Sequence, residues 1–113
     1  MAQAGQSLVE IPWVANPFRG DAFEEAWRPA AEAVMKYGAS GYLFLRSKDD
    51  LLKFTQLAFF ETKLDFERYW YSEEISEARI RVAGYYQVPL LPIWYRTVGS
   101  GVVAETIEEP ETV

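Results

Sequence analysis

A chain of 113 residues, half of them hydrophobic, has the length of one domain and enough apolar material for a packed core, so a single domain over residues 1–113 is expected. Its 11 Lys and Arg against 17 Asp and Glu give a net charge of −6, with Glu105, Glu108, Glu109 and Glu111 in a tail that has no base after Arg96. That balance offers no basic stripe for nucleic acid or an anionic membrane, and the absence of Cys and His removes the thiolate nucleophile, the commonest general base and the commonest metal ligand, so neither partner and no metal is expected.

The first residues, MAQAGQ, lack the charged and apolar regions of a secretion signal, and no apolar run approaches the roughly 20 residues that span a bilayer. A soluble cytoplasmic protein is expected. Leu8 to Ala15 alternates as a strand, with Val9, Ile11, Trp13 and Ala15 on one face and Leu8, Glu10, Pro12 and Val14 on the other. Pro12 cannot donate to a ladder, which predicts a bulge or strand end there and argues against full pairing. Asn16 to Gly20 is loop chemistry, and Asp21 with Glu24 fits an N-cap and capping box for a first helix. Phe23, Trp27, Ala30 and Val34 make its apolar stripe, Pro29 should kink it, and Gly38 stops it.

Gly41 to Ser47 reads as a second strand and the stretch from Phe54 as a third, joined by Lys48-Asp49-Asp50, whose carboxylates can accept from nearby backbone N–H groups. Thr62 with Asp65 caps a second helix from Lys63 or Leu64, and Ser72 caps a continuation carrying Ile75, Ala78 and Val82, with a break near Tyr71. Val88 to Val98 is a last strand whose start Pro89 and Pro92 confine to an edge. Residues 1–7 and 99–113 are expected to be flexible or extending.

The order strand, helix, strand, strand, helix, strand is the βαββαβ pattern of the α+β ferredoxin-like fold, a four-stranded antiparallel sheet with the helices on one face. Several strands are apolar on both faces: Tyr42 and Phe44 oppose Leu43 and Leu45, Phe54 and Ala58 oppose Leu57 and Phe59, and Ile93 and Tyr95 oppose Trp94. The helices can bury only one set, and leaving large side chains in water forgoes roughly 1.5–3 kcal/mol each. A second copy of the chain is therefore expected to cover the other face, giving a homodimer with its sheets face to face and a barrel-like interior.

Trp13, Trp27, Trp70 and Trp94 can line a pocket for a planar molecule or simply fill the core. Gln56 shares a face with Phe54 and Ala58, where a polar amide must find partners; a ligand is one, and a backbone group or solvent is the other. Arg46 and Arg96 stand in strands, where a guanidinium can hold an enolate, phenolate or carboxylate, or else pair with Glu10 or Glu61 at the rim. The Tyr residues are poor bases at neutral pH. Glu67, Glu73, Glu74 and Glu77 with Arg68, Arg79 and Arg81 read as a solvated helix face.

The run FFETKLDFERYWYSEEISEAR, a strand, a short acidic turn, an aromatic-bearing helix and a Ser-led second turn, resembles the antibiotic biosynthesis monooxygenase (ABM)-like family of the dimeric α+β barrel superfamily. The resemblance implies a small aromatic or polyketide-like ligand and either a cofactor-independent monooxygenase or a non-catalytic ligand-binding or structural homodimer. It also covers haem degraders, which use a His ten residues after a helix-two Trp. Aligned on Ser72, Tyr69 takes that Trp position and Arg79 the His position, so haem degradation is not expected. For the oxygenases the resemblance implies an Asn, Trp and Arg group, for which Asn16, Trp70 and Arg96 or Arg46 are the matching residues.

Overall fold

The computed structural model describes residues 5–103. The expectation for residues 1–4 and 104–113, and the acidic tail with it, lies outside them. Four strands, β1 (Ser7–Val14), β2 (Gly41–Arg46), β3 (Lys53–Phe59) and β4 (Ile93–Arg96), form one antiparallel sheet in the order β2-β3-β1-β4. The helices α1 (Gly20–Glu32), α2 (Lys63–Trp70) and α3 (Glu73–Arg81) complete the α+β ferredoxin-like fold. Strand register explains which side chains meet them: Ile11 lies opposite Gln56, Trp13 opposite Phe54, and Val9 opposite Ala58 and Trp94. These inward positions pack on Phe23 and Trp27 of α1, Phe66 and Tyr69 of α2, and Ile75 and Ala78 of α3 in one core.

Pro12 does not end β1. The Ala15 amide donates to Leu52 on the β3 side, whereas the Val14 carbonyl accepts from Gln87 on the other. By alternation the nitrogen of Pro12 faces that other side, between Glu10, the last residue paired with β4, and Val14. No ladder there requires its missing N–H, so a central strand tolerates the proline. The last strand is shorter than its composition suggests: residues 88–92 form no strand, and β4 is confined to Ile93–Arg96, on the edge, with Thr97 continuing its hydrogen bonds to Gly5 and Gln6.

The start of α1 also differs from expectation. Arg19 holds the N-cap position without a side-chain bond, and there is no Asp21 capping box. Asp21 and Glu24 instead accept from Arg46 of β2 at 2.8 and 2.9 Å, an ion-pair geometry that binds the helix start to the β2–β3 hairpin. α1 runs through Pro29 to Glu32, then tightens into a 3₁₀ turn over Ala33–Tyr37 that Gly38 closes in the left-handed conformation, φ 99°. Thr62 and Ser72 accept from the amides of Asp65 and Ile75, so both later helices start at the anticipated caps and Tyr71 separates them. In the hairpin turn Asp50 accepts from the Leu52 amide.

The opposite face of the sheet carries Leu8, Glu10, Pro12 and Val14, then Lys53, Thr55, Leu57 and Phe59, then Leu43 and Leu45, then Ile93 and Tyr95. No helix covers it. Leu43 is 50% and Leu45 44% exposed, large apolar groups standing in water on one contiguous surface. No helix among the described residues is long and apolar enough to cross a membrane.

Candidate aromatic and cationic site

The inner face of the sheet is built around Gln56, the one buried polar residue among the described residues. β-strand alternation points its amide at the helices. Its Oε1 accepts from the indole nitrogens of Trp27 at 2.8 Å and Trp13 at 3.3 Å, and its Nε2 donates to the Tyr69 hydroxyl at 3.1 Å. Tyr69 in turn donates to the Ala30 carbonyl at 2.7 Å. The chain β3, β1, α1 and α2 is thus tied through four side chains in the middle of an aromatic core. Burial pushes the Tyr69 phenol well above its ordinary range, so the group stays protonated and serves as a donor. Gln56 meets neither solvent nor a backbone group; its amide is spent on indole and phenol partners.

Trp13 is the hub of the rings, 4.7 Å from Trp27, 4.9 Å from Tyr86 and 6.2 Å from Trp70 between centroids. Trp70 lies on Phe66 at 5.7 Å and Trp94 meets the same Phe66 edge-on at 5.8 Å, so Trp70 and Trp94 flank one ring. Both are half-buried, as are Tyr85, Tyr86 and Leu90, and together they border the core on the β4 side. Over Trp70 sits Arg79, its guanidinium 4.3 Å from the ring centre and its Nη1 donating to the Trp70 carbonyl at 2.6 Å. Arg79 is half-buried and forms no ion pair with any described residue. A weakly hydrated cation stacked on an indole is suited to receive an anionic edge of a planar molecule.

The anticipated residues fall in four places. Gln56, Trp70 and Trp94 share the inner side of the sheet, linked through Trp13 and Phe66. Asn16 stands at the end of β1, where its Nδ2 donates to the Gly84 carbonyl at 2.9 Å and its amide to that of Tyr85. Arg46 and Arg96 lie on the two edge strands, β2 and β4, with β3 and β1 between them, so the sheet does not bring them together. Arg46 pairs with Asp21 and Glu24, not with Glu10 or Glu61, and also donates from Nε to the Leu51 carbonyl at 2.7 Å. The Asp21 and Glu24 carboxylates hold its guanidinium charged. Beside it, Glu24, Arg28, Phe44, Leu45, Arg46 and Phe54 line a cleft of about 110 Å³. Arg96 is exposed. Among the described residues no three His, Cys, Asp or Glu side chains gather as metal ligands would.

The sequence reading set Arg79 and Glu74 on a solvated helix face and did not reveal the bonds of Tyr69, whereas Arg79 is half-buried over Trp70. Glu74 accepts from Lys36 at 2.8 Å and from Tyr37 at 3.2 Å, tying α3 to the 3₁₀ turn. The available signal was spacing: Arg79 is four residues after Ile75 and next to Ala78, which sets it at the edge of the buried stripe of α3.

No family model matches the chain, and no curated protein matches it. Solved structures do. A Nitrosomonas europaea protein that carries the name antibiotic biosynthesis monooxygenase is similar with a TM-score of 0.75 and 20% identity, over 87% of this chain and 95% of that one. One of the same name from Bordetella bronchiseptica matches at 0.70 and 22%, over 82% and 98%. SnoaB, a cofactor-independent oxygenase from Streptomyces nogalater, matches at 0.72 and 11%, over 86% and 97%. The class is therefore the ferredoxin-like α+β fold. More particularly, it is the version of that fold found in antibiotic biosynthesis monooxygenases, which the resemblance of the FFETKLDFERYWYSEEISEAR stretch implied.

Proposed function

We propose that this chain is an ABM-like protein that binds a small planar aromatic molecule at the border formed by Trp70, Trp94 and Tyr86, as one half of a face-to-face homodimer. The observation that carries the reading is Arg79, a half-buried guanidinium stacked on Trp70 at 4.3 Å with no carboxylate paired to it among the described residues. Aromatic faces supply stacking and the cation supplies an anchor for a phenolate, enolate or carboxylate. The apolar outer face, with Leu43, Leu45, Ile93 and Tyr95 between 42% and 50% exposed, supports the dimer. The same arrangement suits oxidation by molecular oxygen without metal or flavin. There a substrate carbanion gives its electrons to oxygen, and the protein need only favour the anion and exclude water.

Titrating the protein with anthraquinone-2-carboxylate while following tryptophan fluorescence tests the binding. Saturable quenching that Arg79→Gln weakens by on the order of tenfold is the expected result, the worth of one charged hydrogen bond. No saturable change would overturn it. Oxygen uptake with an anthrone or hydroquinone panel tests the enzymatic step.

A second reading, a non-catalytic structural dimer, is favoured by the Gln56 network. Its amide is committed to Trp13, Trp27 and Tyr69, and the cleft beside Arg46 is far below the roughly 300 Å³ at which drug-sized pockets begin. Neither binding nor uptake in the two assays would select it.

A further inference from the structure

The outer sheet face carries very little charge, and the placement of that charge constrains what can cover it. Among its residues only Glu10 and Lys53 are charged, one of each sign, and neither forms an ion pair with a described residue. Glu10 stands on the central strand β1, surrounded by Leu8, Leu57 and Ile93, and accepts only the Tyr95 hydroxyl, at 2.9 Å. Lys53 begins β3 opposite Val14 and is exposed. A carboxylate placed at the centre of an apolar face is costly to bury unless an opposite charge meets it.

From the register, the two residues are diagonal across the β1–β3 ladder: four positions apart along the strands and one strand apart across them. With a rise of about 3.4 Å per residue and strands about 4.8 Å apart, they are separated by about 14 Å, with the Pro12–Thr55 pair midway. We propose that the occupant of this face is a second copy of the chain, related by a two-fold axis lying between the sheets at the level of Pro12 and Thr55, so that Glu10 of each copy pairs with the partner's Lys53. This rests on the homodimer reading above and adds its register. A two-fold axis makes one such pair into two. Sheets packed about 10 Å apart leave a gap that a Lys and a Glu side chain span together. A hydrophobic partner of another kind would leave Glu10 without an opposite charge in its middle.

The test compares dimer dissociation constants by sedimentation equilibrium for the wild type, E10K, K53E and the E10K/K53E double variant, with circular dichroism to confirm folding. Each reversal alone should weaken the dimer by at least about tenfold, because like charges then meet, and the double variant should return to within about threefold of the wild type. Should a reversal variant fail to fold, a cycle of E10Q, K53Q and the double neutral variant decides instead. A coupling of about threefold or more supports the pairing, and losses that simply multiply overturn it. A wild-type dimer whose double reversal is as weak as the two single losses combined would overturn the register and leave the dimer standing. A wild-type monomer at micromolar concentration would overturn both.

Discussion

Gln56 is the residue on which most of the interior depends. Replacing it with Leu keeps the volume nearly constant but leaves the indole N–H groups of Trp13 and Trp27 without an acceptor in a dry core. Each unpaired donor costs about 1–3 kcal/mol, and the Trp13 bond is the longer of the two, so Gln56→Leu should destabilise by about 2–4 kcal/mol in urea unfolding. Tyr69 adds a pH dependence. Its folded pKa lies above the ordinary phenol value, so the unfolded chain releases the proton first. Stability from this group is complete below about pH 10 and falls as the pH rises further, because unfolding then loses a proton the fold retains. Stability curves between pH 9 and 11 should show a steeper alkaline decline for the wild type than for Tyr69→Phe; equal slopes would refute the assignment. Tyr69→Phe also removes the bond to Ala30, at about 1 kcal/mol.

At the scale of elements, the contrast between α1 and the later helices shows what the sequence carried and what it did not. Thr62 and Ser72 cap α2 and α3 because capping is a local event: a hydroxyl accepts from an amide three residues on. The start of α1 is fixed from elsewhere in the chain. Arg46, 26 residues after Gly20, reaches across from β2 to Asp21 and Glu24, and local pattern cannot reveal a contact of that separation. The same contact explains Gly20. A Cβ there would stand 2.5 Å from Arg46 Nη2 and 3.1 Å from the Leu51 carbonyl oxygen, and the carbonyl belongs to backbone that cannot swing aside. Gly20→Ala should therefore lose about 1–3 kcal/mol despite the better helix propensity of Ala. In the Arg46→Ala background the added loss should shrink, since the closer of the two clashes is gone; a double-mutant cycle by chemical denaturation measures that coupling. The candidate site divides along the same line. Gln56 was readable by strand alternation as a neighbour of Phe54 and Ala58, and Trp94 as standing opposite Ile93 and Tyr95, while Trp70 came from the family resemblance. The separation of Arg46 from Arg96 was not readable, because the strand order β2-β3-β1-β4 sends them to opposite edges and both alternate correctly in sequence.

For the whole molecule, the two-sided apolar strands set the argument. A sheet with helices on one side ordinarily shows polar residues on the other, yet here Leu43, Leu45, Leu57, Phe59 and Ile93 share the uncovered face. Core packing cannot require them, since Val9, Ile11, Trp13, Phe54 and Ala58 already fill the inner face and are essentially buried. If a second sheet covers them, a charge introduced at Leu43 should act on association and spare the fold. The side chain is 50% exposed in the single chain and lies on an edge strand, so a Lys there keeps its ammonium in water until a partner arrives. At roughly 25 cal/mol per Å² of apolar area removed from water, losing one Leu from each side of a two-fold interface and burying two ammonium groups in its place removes several kcal/mol of association energy. Light scattering of Leu43→Lys at micromolar concentration should return a monomer mass with an unchanged circular dichroism spectrum and an unfolding midpoint, measured as monomer, no lower than that of the wild-type monomer at high dilution. The inward neighbour gives the contrast: Ala58→Lys places the same charge against the buried rings and should abolish folding. A Leu43→Lys variant that stays dimeric would mean that the face serves some other contact and that the dimer, if formed, uses another surface.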